Sequence, residues 1–388
     1  MNRHLLSVSF LLLTSALAGA TPVVSGVSGT IADDQTVVIS GSGFGSNSLK
    51  QEWLGGSSGR VDSQANGTRI DTLGWPNWSL LTPSTPTYPH VSTERSWSGG
   101  KSIAFDTRGT TEYKQTLFYD TGSAGYTTMY TNALIYLDYQ TLLSGSRFQW
   151  KMIRWYKVAD VLDHANNLSG ALMSNWQGTN PASYLAGFNA SSSQYTYWFN
   201  DLGSKQILPG KGAWYRYETW VKMNSTPGTA DGTYRVKVTD PVTGSVVVDQ
   251  LISNVMYNAT GDSGNFRYVV LQNYFGNASN GGYSQPDNAQ AVAWWDDIYM
   301  SQSQARVEVC SSPTWAQCAS REIQAASVWS DGSITVKLNK GANLDFTNAY
   351  LYVTDSSGAV NASGYKLTGV STAVVAPAAP SNLQAVPQ

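Results

Sequence analysis

Residues 214–224 read WYRYETWVKMN. Tyr215, Tyr217, Thr219, Val221 and Met223 alternate with Trp214, Arg216, Glu218, Trp220, Lys222 and Asn224. Successive side chains of a strand point to opposite faces, so this stretch predicts a strand with one apolar face and one face carrying charge beside indole. The period of two, filled by aromatic and β-branched residues, is the signature of a half-buried strand.

The same pattern recurs outward from this stretch. Residues 233–240, 245–252, 266–275 and 291–300 read as further strands, joined by turn material such as TADGT at 229–233 and DPVTG at 240–244. Upstream, residues 147–158 split into Phe148, Trp150, Met152, Arg154, Tyr156 and Val158, expected in the core, and Arg147, Gln149, Lys151, Ile153, Trp155 and Lys157, expected on a basic outer face. Helix signals are poor, and residues 313–326 are the one candidate. Strands at this regular spacing imply an all-β, antiparallel sandwich.

Three segments resemble the concanavalin A-like lectin/glucanase jelly roll: SGGKSIAF at 98–105, WYRYETWVKMN at 214–224 followed by DGTYRVKV at 231–238, and WWDDIY at 294–299. The likeness spans residues 50–302. It implies a scaffold that hosts lectins, glycosidases, lyases and adhesive domains alike, so it names no activity. A second resemblance lies in the flanks. PVVSGVSGTIADDQTVVISGSGFG at 22–45 is similar to the opening of an IPT/TIG immunoglobulin-like domain, and ARVEV at 305–309, SITVKL at 333–338, AYLYVT at 349–354 and GYKL at 364–367 look like its remaining strands. This implies a small Ig-like sandwich of residues 22–48 plus 303–370, interrupted by the jelly roll; the alternative adds the N-terminal piece to the jelly roll as extra strands.

Composition narrows the chemistry. The 388 residues carry 24 Lys and Arg against 26 Asp and Glu, so there is no basic field for nucleic acid. Three His and two Cys leave little for a transition-metal site. The first twenty residues have a basic start, an apolar run over 5–13 and small residues at 18–20, the pattern of an export signal. The apolar run is shorter than the ~20 residues of a membrane helix, so we expect a secreted or periplasmic protein with no membrane span. Cys310 and Cys318, eight apart, predict one disulfide in that oxidising compartment. The Ala/Pro-rich residues 371–388 read as an extended tail.

Catalytic signatures are degraded. On the glycosidase version of this scaffold two or more carboxylates line one strand as E-x-D-x-x-E, but the six Glu here (52, 94, 112, 218, 308 and 322) each lack an acid two residues away. Alginate-lyase-like jelly rolls carry R-x-E-x-R, Q-I/V-H and Y-F-K-A-G-x-Y-x-Q motifs, of which NYFGNASNGGYSQ at 273–285 is a faint echo without the Lys. If the chain is a lyase, Arg154 neutralises the uronate with Gln272, while Tyr274 and His164 supply acid and base. Sugar binding asks only for aromatic faces and planar polar groups, and Trp155, Arg216, Tyr274 and Tyr283 are the candidates. The resemblance also implies a structural Ca²⁺ at Asp296 or Asp297, since adjacent strand residues face opposite ways and one acid would point inward. No cofactor is required.

The sequence therefore predicts an exported protein that binds an extracellular or cell-wall polysaccharide through a jelly-roll face. A divergent polysaccharide lyase and a structural or adhesive surface protein, capable of self-association, are the alternatives.

Overall fold

The computed structural model describes residues 21–55, 60–80, 88–108, 114–139, 147–157, 168–177, 180–186, 200–201, 212–258, 260–261, 263–277, 291–341 and 344–368. The proposed export signal, the tail at 371–388, His164 and Tyr283 lie outside them. Among the described residues no helix is long and apolar enough to cross a membrane.

The architecture is all-β and antiparallel, as expected. An eight-stranded sheet runs in the order Val246–Val255, Gly232–Thr239, Trp214–Lys222, Thr128–Tyr139, Ala291–Ser301, Ser102–Asp106 and His90–Ser92, with Gln51–Leu54 also paired to Ala291–Ser301. A seven-stranded sheet runs Asn200–Asp201, Asn180–Ala186, Leu168–Gln177, Arg147–Tyr156, Tyr268–Asn277, Lys114–Asp120 and Trp78–Leu80. Their inner faces share one core. Tyr217, Val221 and Met223 enter it from Trp214–Lys222 and its continuation, opposite Leu117, Trp155 and Val269 of the other sheet. The face containing Arg216, Glu218 and Trp220 is turned away from that core.

Two four-stranded sheets form a second, smaller sandwich. One is ordered Val23–Gly29, Thr36–Ser42, Ser333–Lys337, Ala326–Trp329; the other Arg321–Gln324, Arg306–Cys310, Tyr350–Thr354, Tyr365–Lys366. Their separate core joins Val37, Ile39 and Phe44 to Val307, Val309, Ile334 and Leu351. The chain thus leaves this small sandwich after Phe44 and re-enters it at Arg306. The outgoing and returning segments run side by side: Lys50 O accepts from Gln302 N at 3.0 Å, and Asn47 Nδ2 donates to Ala305 O at 3.1 Å.

Three expectations fail for local reasons. Residues 313–326 form no α-helix: a 3-10 turn at Trp315–Gln317 is followed by strand Arg321–Gln324, paired to Arg306–Cys310 and buried throughout. The Cys310–Cys318 disulfide, with Cα atoms 5.8 Å apart, closes the chain back on itself before a helix could propagate.

The alternation expected along residues 147–158 breaks at Met152. In backbone register Ile153 pairs with Leu172 and Leu271 on the two neighbouring strands, while Lys151 pairs with Met173 and Tyr274, so both pairings slip around Met152. A one-residue bulge exchanges the two faces beyond it. Ile153 and Trp155 consequently join the core, and Arg154 and Tyr156 take the opposite face.

A second bulge moves Asp297. Asp296 pairs with Leu134 and Tyr299 with Asn132, and Asp297 adopts φ of 47°. The extra residue lets Trp295 and Ile298 both reach the core, so neither aspartate has to enter it.

Candidate binding site

The small sandwich sits on the outer face of the eight-stranded sheet, and the contact sets buried charge beside an apolar cluster of Tyr130, Tyr299 and Ile323. Glu218 projects from Trp214–Lys222 between two arginines of the small sandwich. Arg321 Nη2 donates to Glu218 Oε2 at 2.8 Å, and Arg306 Nη2 lies 3.5 Å from Oε1. Glu308 closes the square, 2.8 Å from Arg306 Nε and 3.4 Å from Arg321 Nη1. The Tyr130 hydroxyl donates to Glu218 Oε1 at 2.7 Å, beneath the Arg306 guanidinium. All four ionic side chains are buried. Burial alone would push the Glu218 carboxyl up, but Arg321, Arg306, Lys237 and Arg216 hold it well below the usual carboxylate range. Burial would lower the arginines, yet the facing carboxylates raise both above their ordinary value.

Beside this square opens a pocket of about 170 Å³. Trp220, Arg235 and Lys237 line it from the large sandwich, and Trp315, Gln304 and Thr354 from the small one. Register explains the first group: Glu218 lies opposite Lys237 and Trp220 opposite Arg235, and directly opposed residues share one sheet face. Trp220 packs on Tyr130, Tyr299 and Ile323 and remains half-buried. Trp315 lies inside the disulfide loop, against the Tyr352 ring at 5.2 Å and under the Arg321 guanidinium at 4.8 Å. Ser312 O accepts from the Tyr352 hydroxyl at 2.8 Å, which fixes the loop from below.

Among the described residues, the sequence-derived candidates Trp155, Arg216 and Arg154 do not line this pocket. Trp155 is fully buried and meets Tyr234 edge-on at 5.6 Å, so it is a core residue with no face for a ligand. Arg216 is also buried: it donates to Asn132 Oδ1 at 2.9 Å and to the Arg321 carbonyl, tying the two sandwiches together. Arg154 is buried on the seven-stranded sheet, 5.4 Å from the Tyr156 ring centre. The strand carrying Gln272 and Tyr274 pairs with that of Arg154, whose register partner is Val270; the side chains of Gln272 and Tyr274 lie outside the described residues, as do His164 and Tyr283. Of the described side chains among these, Arg216 borders the junction, where it acts as a strut.

Asp296 and Asp297 face the same junction further along. Asp296 accepts from the backbone amides of Trp97, Ser98 and Asp297 at 2.6, 3.2 and 2.8 Å, and Asp297 accepts from the Ser98 hydroxyl. Glu322 of the small sandwich accepts from Trp97 Nε1 at 3.2 Å. Burial, then the neighbouring Asp297, pushes both Asp296 and Glu322 well above the ordinary carboxyl range. Amide donors thus occupy Asp296, and among the described residues no group of three or more His, Cys, Asp or Glu is placed to hold a metal ion. Of the two acids to which the jelly-roll resemblance assigned a Ca²⁺, Asp296 is taken up by amide donors and Asp297 lies against the buried Glu322 carboxyl.

Two signals for the pocket were present in the sequence: the indole flanked by charge at 216–222, and Trp315 enclosed by CSSPTWAQC at 310–318. Nothing local linked them.

No protein-family model matches the chain, and no curated protein matches it. Among solved structures, the chain is similar to an endo-β-1,4-glucuronan lyase from the fungus Trichoderma reesei, with 13% identity, TM-score 0.38, and coverage of 62% of this chain and 95% of that one. It is also similar to an alginate lyase in complex with an alginate trisaccharide, with 12% identity, TM-score 0.41, and 65% and 97% covered. A third is a carbohydrate esterase from a Shiga toxin-encoding bacteriophage, at 12% identity, TM-score 0.35, with 66% and 97% covered. Likenesses this distant assign no activity to the present chain.

Proposed function

We propose that the protein binds carbohydrate, outside the cytoplasm, in the pocket between its two sandwiches. The observation that carries this reading is the pairing of two half-buried indoles, Trp220 and Trp315, with fixed planar hydrogen-bonding groups at one opening. Indole faces stack on the C–H surfaces of sugar rings, while guanidinium and amide groups hold hydroxyls. Because the Glu218–Arg321–Arg306–Glu308 square is already closed, its donors are held before a ligand arrives, and less side-chain freedom is lost on binding. At about 170 Å³ the pocket is smaller than the ~300–1,000 Å³ of typical small-molecule sites, which suits one unit of a longer chain with the remainder in solvent.

The reading includes the smaller sandwich as an Ig-like partner to a jelly roll, residues 22–48 plus 303–370 around 50–302, with both needed to form the site. The disulfide supports placement in an oxidising compartment. The test is affinity electrophoresis and calorimetry of the whole chain against a polysaccharide panel, with Trp220→Ala and Trp315→Ala. Retardation that each substitution abolishes supports the proposal; retardation unchanged in both removes the pocket from it.

A further inference from the structure

Resting on the carbohydrate reading above, we infer that the pocket selects an anionic saccharide unit, one bearing a carboxylate or a sulfate, and that Lys237 receives its charge. Four cations line the pocket, Arg235, Lys237, Arg306 and Arg321, with one acid, Glu218. Arg306 and Arg321 are matched by Glu218 and by Glu308 behind them. Arg235 is matched in two-pronged fashion by Asp249, Nε to Oδ1 and Nη2 to Oδ2, both at 2.9 Å.

Lys237 stands between the acids of these two sets, registered opposite Glu218 on one side and Asp249 on the other. Both carboxylates are committed: Glu218 takes Tyr130 and Arg321 on its two oxygens, and Asp249 takes Arg235 on both of its own. Among the described residues Lys237 makes no close ion pair, and although its charge helps to hold Glu218 ionised, the four cations of the lining face only three acids, Glu218, Glu308 and Asp249. Lys237 as a residue is half-buried and lines the pocket wall, where a charge near the protein surface attracts an anion more strongly than it would in open water. Lys237 and Trp220 lie on one face of neighbouring strands, as diagonal neighbours two register positions apart. A sugar ring stacked on the indole would therefore bring a ring substituent toward the ammonium.

The test titrates the whole protein, by intrinsic Trp fluorescence and calorimetry, with three oligosaccharides of equal length: an oligouronate, a sulfated oligosaccharide and a neutral one. Each is measured at low and at physiological salt, for the wild type, Lys237→Gln and Lys237→Arg, with thermal unfolding as a control for folding. We expect at least one anionic ligand to bind about tenfold more tightly than the neutral one. Lys237→Gln should remove that preference and its salt dependence, and Lys237→Arg should keep most of it; which anionic arm responds identifies the group. Equal binding of neutral and anionic ligands, or a preference that Lys237→Gln leaves intact, overturns the inference while carbohydrate binding stands. Absence of binding to any saccharide overturns the carbohydrate reading with it.

Discussion

Arg321 of the small sandwich donates to Glu218 of the large one across 2.8 Å, with both side chains buried, and this contact fastens two hydrophobic cores that share no apolar residue. Removing one partner of a buried ion pair leaves an uncompensated charge and typically costs about 3–5 kcal/mol. Arg321→Met should therefore lower stability by that order, and Glu218→Gln/Arg321→Met by less than the sum of the single changes. Urea unfolding of the four members of this double-mutant cycle measures both.

The pH dependence of stability follows from opposite shifts at one junction. Glu218 is held below its ordinary value, so its contribution is present above the unfolded carboxyl's titration range and is lost only as pH falls through its depressed folded value. Glu322 and Asp296 are raised by burial, so their contribution is present below the unfolded range and is lost as pH climbs through their raised folded values. Stability should therefore peak at mildly acidic pH and decline toward alkaline pH. Glu322→Gln should flatten the alkaline limb and leave the acid limb unchanged, as read from Tm across a pH series.

Trp155 and Trp220 should separate cleanly. Trp155→Ala opens a cavity in a closed core and should cost about 3–5 kcal/mol, with any residual folded protein keeping its ligand affinity. Trp220→Ala, at a half-buried surface position, should cost less stability and lose most of the binding. Denaturant midpoints beside binding isotherms test the contrast.

The disulfide holds Trp315 at the pocket mouth. Cys310→Ser/Cys318→Ser should lower stability by about 2–4 kcal/mol and weaken saccharide binding even where the protein remains folded. Unchanged affinity in the folded double variant would show that Tyr352 and Arg321 hold the indole unaided.

The large sandwich was legible because residues 214–224 alternate without interruption: Tyr217 and Val221 enter the core as the pattern predicts. The same rule failed at Met152 and Asp297, since a bulge is a property of how two strands register and leaves no mark on either strand alone. Trp155 was misplaced for that reason, and so was the inward-pointing acid. The pocket was illegible for a different one. Trp220 and Trp315 meet only because the small sandwich docks on the outer sheet face, a packing decision made by Glu218, Arg306 and Arg321 across distant parts of the sequence.

The chain's double passage between the sandwiches has a mechanical meaning. Val23–Gly29 and Tyr365–Lys366, the first and last described strands, both belong to the small sandwich, while everything between Phe44 and Arg306 leaves and returns through two segments bonded to each other. Tension applied between those outer strands would be borne by the small sandwich in shear, and the larger one would hang off the line of load, still presenting its wall of the pocket.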